Sequence, residues 1–135
     1  MAFPESFTHE TRTLQLAMQG GILYARTKRG VEQTPADARA NLAAGLELTG
    51  GRRVPVILDG RDSEPVSVAT RQEYDREGLV FAAAVGLIAD STFARIIGNL
   101  FMRITSMEMP QRIFSTVEEA EVWLRSVEAG GLREP

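Results

Sequence analysis

The sequence predicts an α/β protein built on a wound, mostly parallel sheet. Three observations predict it. Val54-Pro55-Val56-Ile57-Leu58 is continuously apolar and is closed by Asp59-Gly60-Arg61-Asp62. A strand buried on both faces of a parallel sheet reads this way, without polar alternation. Ala82 to Ala89 is a second such run, made of small side chains. Helix signals alternate with these runs, the pattern of βαβ units joined by right-handed crossovers.

The elements follow in order. Thr11 to Met18 alternates, with Leu14, Leu16 and Met18 on one face and Thr13 and Gln15 on the other. Gly20-Gly21 makes a tight turn, Ile22 to Thr27 is a second strand, and the two form a hairpin. The first strand is expected antiparallel, at one edge. Thr34-Pro35-Ala36-Asp37 opens a helix: a capping hydroxyl, a proline at the first position, and an acid at the positive end of the dipole. This helix is expected to reach about Leu48, with Ala38, Leu42, Gly45 and Leu46 towards the sheet. Pro55 cannot donate to a ladder, so it belongs among the first residues of its strand.

A polar helix is predicted from about Ser67 to a cap at Gly78. Arg71 and Asp75 stand four apart on it, a pairing that contributes about 0.2–0.5 kcal/mol. Asp90-Ser91 caps a third helix, Thr92 to Ile104, whose inward stripe is Phe93, Ile97, Leu100, Phe101 and Ile104. Met107 to Pro110 is a loop and Arg112-Ile113-Phe114 a last strand. Thr116-Val117-Glu118-Glu119 is a capping box. It opens a fourth helix with Val117, Ala120, Trp123, Leu124 and Val127 inward. Leu58, Ile57, Ile97, Leu100 and Trp123 are the expected heart of the core. The domain limits read as a tail over 1–10, one domain over 11–128, and a tail over 129–135.

Composition narrows the function. With 135 residues the chain fits one domain, which can bury roughly 68% of its unfolded surface. A net charge of −3 argues against a general binder of phosphate backbones. There is no cysteine, so disulfides, thiolate metal sites and a cysteine nucleophile are excluded. The N-terminus shows no signal-peptide pattern and no apolar run is long enough to span a bilayer, so a cytoplasmic protein is expected. Lys28 is the only lysine among fifteen basic residues, which suggests a bacterial source of high genomic GC content.

In this order the pieces resemble a known group. Val56-Ile57-Leu58-Asp59, Ala82 to Ala89, Ser91-Thr92-Phe93-Ala94-Arg95-Ile96-Ile97-Gly98-Asn99, Pro110-Gln111-Arg112-Ile113-Phe114 and Glu118 to Leu124 carry the resemblance. The chain resembles the SpoIIAA-like, or STAS, fold of anti-sigma-factor antagonists over roughly residues 10 to 127. Its C-terminal part resembles more closely still a bacterial STAS/SEC14-like family of unassigned function. The resemblance implies an antiparallel N-terminal hairpin strand followed by mostly parallel strands alternating with four helices. Phosphorylation-switch antagonists of this type carry Asp-Ser followed by a small, Gly-containing run. Here Asp62-Ser63 is followed by Glu64-Pro65-Val66, which departs from that pattern.

Asp59, Arg61, Ser67 and Arg71 form the candidate partner- or ligand-facing rim. They follow the carboxyl end of a central parallel strand, where wound sheets gather their ligands. Each also has a plainer reading: Asp59 as a turn carboxylate, Ser67 as a helix cap, and Arg61, Arg71 and Tyr74 as a solvated face. Arg95 and Asn99 are a second polar edge or a loop cap. His9 is the only histidine, so a histidine triad or zinc site is not expected. No catalytic, cofactor-binding or metal residue is assigned. The expected function is a small non-enzymatic regulatory or protein-interaction module, a homodimer with a protein partner. Small-ligand binding, of a nucleotide or a lipid, is the alternative.

Overall fold

The computed structural model describes residues 4, 6–91 and 109–129. These form six strands and three helices. The strands are β1 (His9–Glu10), β2 (Leu14–Gln19), β3 (Ile22–Thr27), β4 (Val54–Asp59), β5 (Ala82–Ile88) and β6 (Gln111–Phe114). The helices are α1 (Pro35–Thr49), α2 (Val68–Glu77) and α3 (Val117–Ala129). The sheet order is β1-β2-β3-β4-β5-β6, with β1, β2 and β3 antiparallel in turn and β3 to β6 parallel. The expected helix over Thr92 to Ile104, with Ile97, Leu100, Arg95 and Asn99, lies outside the described residues. The antiparallel start is as predicted, but the edge is the two-residue β1, which pairs His9 with Leu16. Two residues are too short a run to show a period.

Local chemistry explains most boundaries. Gly20 and Gly21 both take positive φ, 59° and 82°, the backbone a two-residue hairpin turn demands. Thr34 accepts from the Asp37 N–H, and the Asp37 side chain accepts from the Thr34 N–H, closing a capping box. Ser67 caps α2 and Gly78 ends it. Pro55 is the second residue of β4, where the register against β5 shifts; an irregular step is where a sheet tolerates a missing N–H.

The sheet is covered on both faces. Face one carries Leu14, Leu16, Leu23, Ala25, Val56 and Val85, packed under Leu42 of α1 and Phe81. Face two carries Ile22, Tyr24, Ile57, Ala84 and Ile88, packed under Val117, Ala120, Leu124 and Val127 of α3. The small residues of β5 let α3 approach closely: a Cβ on Gly86 would lie 3.2 Å from the Ala120 Cβ.

Three burial expectations need correction. The inward stripe of α1 is Asp37, Ala38, Asn41, Leu42, Gly45 and Thr49. Leu46 is 44% exposed, because Thr49 takes the next inward position after Gly45 and Leu46 lies a further step round the helix. Trp123 is half-buried and lies against Phe114 with ring centroids 5.6 Å apart. Leu58 is also half-buried: it packs against the face-one cluster but borders a void there. Ile57 is fully buried, as expected.

Candidate functional site

That void is a cavity of about 270 Å³ on face one. Its floor is the sheet, with Leu16, Leu23, Ala25, Val56, Leu58 and Val85. Asn41 and Leu42 of α1 and Arg71 and Tyr74 of α2 wall it, and Phe81 closes its far side. The rim is the loop after β4, with Gly60, Arg61, Ser63 and Glu64. The cavity therefore opens beside the carboxyl ends of β4 and β5, where wound sheets place ligands. Its surface is mostly hydrocarbon with a few convergent polar groups, the composition of small-molecule sites.

Most of the polar groups are already engaged. Asn41 donates to the Tyr74 hydroxyl at 2.9 Å and to the Thr13 hydroxyl at 3.0 Å, and accepts from Thr11 at 2.6 Å. Tyr74 in turn donates to Gln33 Oε1. Burial is the largest influence on the Tyr74 phenol, pushing it up to about 12 against a smaller opposing effect of Asn41. Tyr74 is thus a neutral donor across the ordinary pH range. Thr70 ties the same wall to the chain before α1, donating to the Gln33 carbonyl at 3.0 Å.

The four rim residues are not brought into one cluster. Asp59 is 4% exposed. It shares face two with Ile57, the face turned from the cavity. Arg61 grips it with two parallel bonds, Nε to Oδ1 at 2.9 Å and Nη2 to Oδ2 at 2.8 Å, and the Arg61 backbone N–H adds a third at 3.2 Å. Arg26, its partner in register on β3, stands 3.5 Å away. Burial alone would raise the Asp59 carboxyl, but the hydrogen bonds from Arg61, with the Arg61 and Arg26 charges behind them, outweigh it and hold it below the ordinary carboxylate value. Ser67 acts as the cap of α2, accepting from the Thr70 N–H at 3.2 Å. Arg61 and Arg71 reach the cavity.

Arg71 differs from the rest. Its Nε is buried and has no hydrogen-bond partner. A buried donor left unmade costs free energy, and such exceptions call for an explanation. Sequence reasoning missed the Gln33–Asn41–Tyr74 network. The available signal was Asn41 itself, a polar residue four after Asp37 on the inward stripe of α1.

Among the described residues no three His, Asp or Glu side chains gather as a metal site. No helix among them is long and apolar enough to cross a membrane.

A family model described as a domain of unknown function (DUF7793) matches residues 16–128. Among solved structures, the chain is similar to an uncharacterised protein of the DUF3478 family with a SpoIIAA-like fold from Shewanella loihica PV-4. The TM-score is 0.58 at 12% identity, covering 82% of this chain and 91% of that one. A protein of unknown function from Arthrobacter sp. FB24 is 25% identical, covers 82% of this chain and 97% of that one, and gives a TM-score of 0.32. No curated protein matches the chain. The first structural likeness shows the fold alone, and that fold is SpoIIAA-like, as the sequence motifs implied.

Proposed function

The chain belongs to the DUF7793 family, a domain of unknown function, and on this premise we propose that it is a non-enzymatic binding module whose cavity takes a small apolar ligand. One observation carries the reading: a cavity of about 270 Å³, floored by leucine and valine, opens at the carboxyl ends of β4 and β5. Interiors are normally packed with few voids larger than a water. An open apolar space of this size leaves its lining without contacts that a ligand would restore. The volume lies just under the roughly 300–1,000 Å³ usual for ligand pockets, so the ligand is small.

The homodimer of the regulatory, protein-partner reading would draw on the apolar side chains of Ile96, Met102 and Met107, which lie outside the described residues. The cavity therefore favours the ligand reading over it. Native mass spectrometry of the full chain, purified from its own host under gentle desolvation, tests this directly. The expected result is a mass increment that disappears in an Ala25→Leu variant, whose larger side chain would occupy the floor of the cavity. An unliganded mass for the unaltered protein, together with no methyl chemical-shift change on adding short amphiphiles, would remove the proposal.

A further inference from the structure

We infer that the ligand is a single-chain amphiphile ending in one negative charge, a free carboxylate of about eight to ten carbons, anchored on the Arg71 guanidinium. The inference rests on the reading of the cavity as a ligand site and goes beyond it by fixing the chemistry of the head group.

The charge state follows from a census of the polar lining. Gln33, Asn41 and Tyr74 are bonded to one another. The Arg61 fork is spent on Asp59. Among the described residues Arg71 is the cation that lines the cavity with no hydrogen bond or ion pair to its guanidinium; its Nε, sealed from the cavity, is unpartnered as well. A guanidinium has donors only, so what completes it is an acceptor, and an anionic one binds it best. The charge is single rather than double. Glu64 lines the same rim, and a dianionic phosphate would meet that carboxylate with one unspent cation to set against it.

The chain length follows from the space. A volume of about 270 Å³ holds roughly nine waters at water's bulk share of about 30 Å³ each, which a single alkyl chain fills and a two-chain lipid exceeds. Position agrees with chemistry. Arg71 stands on the first turns of α2, beside the polar loop after β4, while Leu16, Leu23 and Val85 lie on the apolar floor. Head at the rim and tail along the sheet is the arrangement this polarity gradient selects.

The test uses the full-length protein with methyl groups labelled at Leu, Val and Ala, titrated with sodium octanoate and with 1-octanol. Octanoate is expected to saturate and to shift methyls of Leu23, Val56, Leu58 and Val85. Octanol is expected to bind the same methyls at least tenfold more weakly. Arg71→Ala and Arg71→Gln are each expected to bring octanoate down to the octanol affinity while leaving octanol unchanged, which also shows that the variant is folded. From hexanoate to octanoate, each methylene is expected to tighten binding roughly fourfold. Equal affinities for octanoate and octanol, or octanoate binding indifferent to both Arg71 variants, would overturn the carboxylate anchor while the cavity reading stood. Silence from both probes would overturn the cavity reading and the anchor together. Sedimentation with phosphatidylglycerol vesicles, without shifts at these methyls, would place the acidic partner at a membrane surface and overturn the free-carboxylate assignment.

Discussion

Gly45 sits in the middle of α1, where alanine would ordinarily be the better residue by about 1 kcal/mol. The structure reverses that preference. A Cβ built on Gly45 would lie 2.4 Å from Phe81 Cζ and 2.8 and 2.9 Å from its two Cε atoms. The end of the ring points straight at the helix, and Phe81 is itself 5% exposed. Forcing extra atoms into such a site costs about 1–3 kcal/mol. Subtracting the helical gain of about 1 leaves Gly45→Ala destabilised by about 1 kcal/mol, within a range of roughly 0 to 2. In a Phe81→Leu background the ring is gone, so the same change should stabilise by up to about 1 kcal/mol. The coupling between the two sites is therefore expected near 2 kcal/mol, well above the roughly 0.3–0.5 kcal/mol within which independent sites add. Urea melts of the four proteins close the cycle. Additivity within that margin, or a Gly45→Ala single variant more stable than the parent, would refute the seating of Phe81 over α1.

Asp59→Asn should cost about 1–3 kcal/mol. That is less than the roughly 3–5 of a fully buried pair broken on one side, because Arg61 and Arg26 keep 35% and 36% of their side-chain surface in water. Because the folded Asp59 carboxyl is held below its ordinary value, its contribution is complete above about pH 4 and fades as pH falls through the folded value. Acid melts of Asp59→Asn should be flatter over that interval, and identical acid limbs would show Asp59 to be energetically idle. Tyr74 and Tyr24, the only tyrosines, are both raised, Tyr24 chiefly by burial and by its bond to Glu121. Ultraviolet titration should therefore show no phenolate near pH 10 and a rise only as pH nears 12; their stabilising effect is full below about pH 10 and lost as pH climbs from there. A step at pH 10 in protein that is still folded would contradict the burial of both rings.

What was legible in the sequence was what local chemistry decides. Thr34-Pro35 and Asp37, Ser67 and Gly78, and Gly20-Gly21 each set a boundary through one backbone hydrogen bond or one positive φ, and each sits where the residues placed it. Ile57 was legible both as strand and as core, whereas Leu58 was legible as strand but not in its burial. Periodicity tells which face a side chain takes, whereas the half-exposure of Leu58 depends on a space between elements distant in sequence. The rim was half legible for the same reason. Position after β4 brought Arg61 and Arg71 to the cavity, but strand alternation sent Asp59 to the other face. The cavity itself left no mark, since a void is defined by how α1 and α2 stand off the sheet.

Face two has a consequence for the order in which the molecule is completed. Its lid is α3, the last element of the described chain, and its closing bonds are long in sequence. Glu121 accepts from Tyr24, 97 residues earlier, and Arg125 donates to the Gly20 carbonyl, 105 residues earlier. Synthesis proceeds from the N-terminus at about 5–20 residues per second. Until α3 has been made, Ile22, Ile57 and Ile88 lack the α3 side chains that pack on them in the finished sheet. The earlier face, roofed by α1 and α2 from within the sheet's own crossovers, closes through shorter loops and at lower entropic cost. A nascent chain paused before residue 117 would lack Val117, Ala120, Leu124 and Val127, and the apolar side chains those residues cover would be offered to chaperones and to other nascent chains.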